Sequence, residues 1–293
     1  MPYNEKYKES LNTYDELITF YQEANLVEEA MLRKGLTLTL FGHHQEAIEA
    51  LETLTETFPE NVYVTKGIVQ DTIDENLKGF INYFFEKEDY LRVVAVYQDF
   101  KEKYLSDFRF DTTLFQVAYS YQKLGLLNNA LDMHQFNSSH AKGSIQELTR
   151  FEEGRVLFRL QKYDQAKEHL IRFIRDYPES VYDADARKLL AEMYQETRDF
   201  SEAIRILNDT LERYDQDVDP IEAEIVPQLY NQLANLYQDM GLYAESADAY
   251  DKTILRYYHS VIAEDVPMYM MMAHFSKADM LFKVKRFPAS LEA

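Results

Sequence analysis

Long runs of mixed apolar and charged residues read as helices, and within them certain apolar and small positions recur on one ruler. Gly154 is followed by Leu157, Tyr163, Ala166 and Leu170, at offsets of three, nine, twelve and sixteen. Ala191, Tyr194, Phe200, Ala203 and Leu207 repeat those offsets. So do Gly35, Leu38, His44, Ala47 and Leu51; Ala118, Tyr121, Leu127, Ala130 and His134; and Ala234, Tyr237, Tyr243, Ser246 and Tyr250. At the end of the sequence Ala278, Leu281, Phe287 and Ser290 follow the same rule. The pattern predicts helical hairpins. One small residue lies on the first helix (A) and one on the second (B), which lets the two approach where they cross, while the large residues fill the space around the crossing.

The breakers fall in register with that reading. Gly42, Gly125 and Gly241 each stand five residues before the second small position, where helix A must stop and a left-handed residue is needed. Pro59 and Pro178 stand at the end of helix B. In DYPESVYDADA, Asp176 to Ala186, the proline is expected to end one hairpin, Ser180 or Asp183 to cap the next helix, and Ala184 and Ala186 to begin it. The second small position falls at residues 10, 47, 93, 130, 166, 203, 246 and 290. Ile81 and Val93 put bulky residues where small ones belong, so that hairpin is expected to splay or to be out of register. The stretch NVYVTKGIVQDTIDEN adds an extra turn or kink, and FNSSHAKG around Asn137–Gly143 reads as a polar, mobile junction.

This small-large-small signature resembles the tetratricopeptide repeat, and the resemblance covers almost the whole chain. Its intervals of mostly 36 to 37 residues exceed the family's plain repeat of about 34. With the YPES junction they look like the subgroup found in bacterial envelope proteins (BamD/CpoB-like). The fold class the resemblance implies is all-α: a right-handed superhelical solenoid of antiparallel helix pairs with no sheet. The expected organisation is N-terminal repeats over 1–60, a long junction over 61–80, central repeats over 81–213, an acidic junction over 214–227 and C-terminal repeats over 228–293. The first match, Tyr7, Ser10, Tyr14 and Leu17, fits a B helix with no A helix before it, and the last stops a few residues into its B helix. The sequence therefore reads as a piece of a longer repeat protein.

Composition narrows the function. Lys plus Arg number 31 against 51 Asp plus Glu, a net charge of −20, which opposes binding to phosphate backbones or anionic lipid. There is no cysteine, so disulfides and thiolate metal sites are excluded. No apolar run approaches the roughly 18 residues of a membrane span. No phosphate-binding glycine loop, HExxH or G-x-S-x-G appears, so no enzyme chemistry, cofactor or metal is expected. His43 and His44 are adjacent and do not share a helix face, and the run Met268, Met270, Met271 and Met272 is expected to pack into the core.

The resemblance also implies a binding face, a concave groove lined by helix A at places two, five, nine, twelve and thirteen, counting the first small residue as eight. Those places hold Lys78, Asn82 and Phe85; Phe115, Tyr119 and Lys123; Phe151, Arg155, Phe158 and Arg159; then Asn231 and Asn235. The middle of the groove is aromatic and basic in an otherwise acidic chain, and such residues make binding hot spots. Lys78 and Asn82 match half of the family's carboxylate clamp, but Gln116, Leu148 and Glu152 break the other half. The function implied is a non-catalytic scaffold that binds a partner protein or peptide on its concave face, without nucleic acid and without direct membrane insertion. Its expected setting is bacterial envelope or secretion assembly. The alternatives are a substrate-guiding arm of a larger cell-wall enzyme or a cytoplasmic peptide-binding regulator.

Overall fold

The computed structural model describes residues 2–21, 24–101, 111–215, 225–260 and 268–291, and every regular element among them is a helix. In chain order these are α1 (Pro2–Phe20), α2 (Ala24–Leu40), α3 (His44–Thr57), α4 (Val62–Thr65), α5 (Ile68–Glu86), α6 (Tyr90–Phe100), α7 (Asp111–Lys123) and α8 (Leu127–His140). Then come α9 (Gly143–Arg159), α10 (Tyr163–Asp176), α11 (Asp183–Glu196), α12 (Phe200–Tyr214), α13 (Ile225–Asp239), α14 (Tyr243–Ser260) and α15 (Met268–Leu291). The chain is an all-α repeat solenoid. It divides into two compact units, residues 1–145 and 146–293.

Six hairpins follow the ruler: α2–α3, α5–α6, α7–α8, α9–α10, α11–α12 and α13–α14. The small residues sit at the crossings as the spacing requires. Ala47, Ala118, Ala130, Ala166, Ala191, Ala203, Ala234 and Ser246 have no exposed surface. A Cβ added to Gly35 would lie 2.5 Å from Leu51, and one added to Gly154 would lie 2.6 Å from Leu170. Neither site has room for even a methyl group. Ser246 is accommodated because its hydroxyl donates to the Ala234 carbonyl at 2.9 Å.

The turns show why the period survives changes of residue. The left-handed place holds Gly42 (φ 73), Gly125 (φ 75) and Gly241 (φ 75), and also Glu88 (φ 56), Gln161 (φ 58) and Arg198 (φ 59). In all six turns that residue's N–H donates to the carbonyl three residues back, and the next N–H donates to the carbonyl five back. The paired bonds close the orphan carbonyls of helix A with backbone alone, so the side chain is free to vary. A non-glycine residue there still carries a left-handed cost. Changing Gln161 or Arg198 to glycine should therefore stabilise the chain by about 0.5–1 kcal/mol each, read from urea unfolding midpoints at unchanged slope.

Several expectations are corrected. The Ile81–Val93 hairpin is in register: Glu88 makes the same turn, and Ile81 and Val93 are both fully buried. Its B helix, α6, is shorter, at 11 residues. The inserted stretch forms the single turn α4, capped by the Asn61 side chain accepting from the Tyr63 N–H, and left-handed Gly67 then redirects the chain into α5. The polar stretch after Phe136 is mostly helix, with Asn137 and Ser138 buried. The junction at 214–227 falls largely outside the described residues.

The last match does not form a hairpin, because α15 runs unbroken from Met268 to Leu291. Its turn place holds Lys285, and only Phe287–Leu291 follow within the helix. Nor are the methionines all core. Met270 is fully buried and Met280 joins the cluster of Ala234, Ala247, Ala249, Tyr250 and Ala273, whereas Met268, Met271 and Met272 are exposed.

Between and within hairpins the contacts are polar as well as apolar. Buried Asn76 on α5 lies 3.0 Å from His44 Nδ1 on α3 and donates to the Thr39 hydroxyl on α2 at 2.8 Å. Asp183 has no exposed surface and opens α11. Its carboxylate accepts from the Tyr214 hydroxyl of α12 at 2.8 Å and from Arg187 Nε at 2.8 Å. It is therefore a tie rather than a cap. The Ser180 hydroxyl accepts from the Tyr182 N–H, shaping the turn before the helix.

Candidate functional site

In the first unit, the A helices α5 and α7 lie side by side. Gln116 of α7 donates to the Asn82 carbonyl oxygen of α5 at 2.8 Å, and Asn82 donates in turn to Glu86 at 2.8 Å. Above this pair four rings form a continuous run. Phe85 meets Tyr90 at 6.1 Å and Tyr119 at 5.7 Å, both edge to face; Tyr90 also meets Tyr119 at 6.2 Å, and Phe115 lies 6.1 Å from Tyr119. These rings are half-buried, so each keeps a free edge or face. The Lys123 ammonium sits 5.1 Å over the Tyr119 ring. The Tyr119 oxygen, as a hydrogen-bond acceptor, pushes the Lys123 pKa up. Below the rings a cleft of about 390 Å³ is lined by Lys78, Gly79, Asn82, Thr112, Thr113 and Gln116, together with Asp111. All six predicted residues of this unit thus lie on α5 and α7, with Lys78 and Asn82 lining the cleft. Asn82 has both ends of its amide engaged, one by Gln116 and one by Glu86.

The rings rest on a buried histidine. Phe115 lies 5.9 Å from His134 of α8, which has no exposed surface. His134 Nε2 is 2.8 Å from the Gln122 amide nitrogen, and Nδ1 has no partner. Burial pushes its pKa down to about 3, so the ring is neutral.

The second unit holds the remaining predicted residues, with differences. Phe151 is only 7% exposed and stacks on Tyr182 at 5.4 Å and 11°, so it packs between helices instead of offering an open ring. Arg155 is exposed but bonded at 2.7 Å to Glu152, which is itself buried; part of its charge is already neutralised. Phe158 is half-buried, 5.7 Å from Tyr163, and Arg159 is exposed beside it. On α13, Asn235 accepts from the Tyr250 hydroxyl at 2.6 Å, while Asn231 is half-buried. Neighbouring A helices touch through groove places here too. Lys188 donates to Gln228 at 2.6 Å, and Gln195 donates to Asp239 at 2.8 Å. The counting rule missed Tyr90 and Tyr182. Both stand at the start of a helix next to a hairpin turn or junction; Tyr90 lies nine residues after Ile81, the packing place that holds Tyr163, Phe200 and Tyr243 in other hairpins.

Among the described residues no three of His, Cys, Asp and Glu gather to hold a metal ion, and no helix is long and apolar enough to cross a membrane.

Stacked helical hairpins presenting one helix face of each pair define an α-solenoid of the protein-interaction class. The chain is a tetratricopeptide repeat protein: that family matches residues 29–61, 151–218 and 227–255. The six identical turns extend the same unit through α5–α6 and α7–α8, where no match falls. Among solved structures the fold resembles BtubC (BKLC) from P. vanneervenii at a TM-score of 0.54 and 13% identity, covering 77% of this chain and 92% of that one. It also resembles a MamA RS-1 ArsTM double mutant at a TM-score of 0.50 and 12% identity, covering 62% of this chain and 93% of that one. No curated protein sequence matches significantly. Proteins built from such repeats are generally scaffolds without catalysis.

Proposed function

We propose that the chain is a non-catalytic scaffold that holds a peptide segment of a partner protein against its A helices, without nucleic acid. The observation that carries this is the run Tyr90, Phe85, Tyr119 and Phe115 with Lys123 above it and the cleft of Lys78 below. Aromatic faces give a peptide contact area at little rotamer cost, because the rings already hold one another in place. The lysines select acidic or polar side chains, which would be repelled elsewhere on a chain of net charge −20. Arg159, with Arg155 beside it, forms a second basic contact in the other unit. The setting we favour is bacterial envelope or secretion assembly, on the strength of the YPES junction and the 36- to 37-residue intervals.

The test is selection of peptides from a random library on the full chain, followed by titration of the best binder. Two double variants are compared, Tyr119→Ala with Lys123→Glu and Arg155→Glu with Arg159→Glu. The first should weaken binding about a hundredfold and the second about tenfold, with unchanged circular dichroism. Equal affinity of the first variant and the wild type would remove the groove reading.

A further inference from the structure

The first unit holds a second cleft, of about 330 Å³, which shares no residue with the groove. Its floor is Phe80 and Phe84 of α5, with ring centroids 5.1 Å apart. One wall is α6, through Arg92, Ala95, Val96 and Asp99, and Gln45 joins from α3 of the neighbouring hairpin. The floor is particular to this hairpin. Phe80 stands one place before Ile81, at the first small place, and in the other five hairpins that place holds Lys34, Val117, Glu153, Leu190 or Leu233. The next gap along the unit is bridged instead, by the Tyr97 hydroxyl of α6 donating to Met133 Sδ of α8 at 3.4 Å.

The two ends of the cleft carry opposite charge. Arg92 and Asp99 stand seven residues apart on α6, two turns of one face and about 10 Å along its axis. The Arg92 guanidinium lies over the Phe84 ring at 5.2 Å, and its Nε meets Asp89 at 3.3 Å. Those two contacts hold the planar group in place and leave its Nη edge for a carboxylate. Asp99 is exposed and has no basic partner among the described residues. Because α5 and α6 run antiparallel, Phe84 lies toward the Arg92 end and Phe80 toward the Asp99 end.

We propose that this cleft binds a short peptide with free ends, its carboxylate on Arg92, its ammonium on Asp99 and an apolar or aromatic side chain on the two rings. An apolar anion would suit Arg92 and the floor but be repelled by Asp99, and an apolar cation would meet the reverse. A body charged oppositely at its two ends suits both. An extended chain of three residues spans about 10 Å, which matches the separation of the two charges. The volume lies at the small end of ligand pockets and takes one large side chain. This site does not depend on the groove reading.

The chain contains no tryptophan, so the tripeptide alanyl-tryptophyl-alanine, excited where tyrosine does not absorb, reports its own burial. Its emission should move to the blue on titration with the full chain, and the acetylated, amidated form should bind at least about tenfold more weakly. Arg92→Gln and Asp99→Asn should each weaken the free-ended probe about threefold and leave the blocked probe unchanged, a modest effect because both charges are at the surface. Ala95→Phe should fill the cleft and abolish binding of either probe at unchanged circular dichroism, whereas Tyr119→Ala with Lys123→Glu should bind like wild type. Emission that does not shift, or equal affinity for the two probes, would overturn the proposal. Binding that survives Ala95→Phe and is lost in the groove variant would place the probe in the groove and do the same.

Discussion

Between pH 7 and pH 5 the chain should lose about 2 kcal/mol more stability than its His134→Leu variant. In the folded chain His134 is buried and its pKa is pushed down to about 3; unfolded, it returns to about 6.5. Below pH 6.5 the unfolded state takes up a proton that the folded state refuses. The stabilisation is thus fully present above the unfolded value and drains away as pH falls toward the folded one. One and a half pH units below 6.5 correspond to about 2 kcal/mol. Leucine suits the site, because Leu51, Leu170 and Leu207 fill the same place in other hairpins. It removes the unpartnered Nδ1 but also the acceptor of the buried Gln122 amide, so the variant should be somewhat less stable at neutral pH while its pH dependence is flatter. The measurement is urea unfolding of both proteins at pH 7, 6 and 5. Parallel stability curves would show that His134 is not the acid-sensitive group.

Replacing Asp183 by alanine should cost about 3 kcal/mol. The carboxylate is fully buried and receives Tyr214 and Arg187, with Arg213 at 3.9 Å. Removing it strands the guanidinium of Arg187, whose side chain is only 21% exposed, and the half-buried Tyr214 hydroxyl. Tyr214 reports on the same contact: burial first, and then its bond to Asp183, push its pKa well above the usual tyrosine range. Alkaline titration followed by ultraviolet absorbance should find the latest of several late-ionising tyrosines moving earlier in Asp183→Asn, which keeps the shape but not the charge. A loss below about 1 kcal/mol in the alanine variant would mean that Asp183 is not the tie between α11 and α12.

The hairpins were legible because a crossing of two helices leaves little choice at its centre. Gly35 and Gly154 have no space for a Cβ, so the small residue is imposed by the partner helix and reappears at each period. The turns were half legible. Glycine marks three of them, but the backbone bonds that close Glu88, Gln161 and Arg198 leave no trace in residue type. What lay outside the period stayed hidden. Phe151 occupies a groove place by counting, yet its burial is set by Tyr182, which the YPES junction brings flat against it. Asp183 looked like a cap because acidic residues favour helix starts, and only the position of Tyr214 on α12 makes it a buried acceptor. The methionine run divides between two faces of α15, since a helix that buries Met270 must turn Met271 and Met272 outward.

The polar ties between successive hairpins carry a consequence for engineering. Repeat arrays invite shuffling, because each unit touches only its neighbours. Here His44 is matched to Asn76, Asn82 to Gln116 and Lys188 to Gln228, each pair particular to its own boundary. A duplicated, deleted or transplanted unit would meet a stranger at both edges. The modules are cut to one pattern but keyed like locks, so their order is written into their borders.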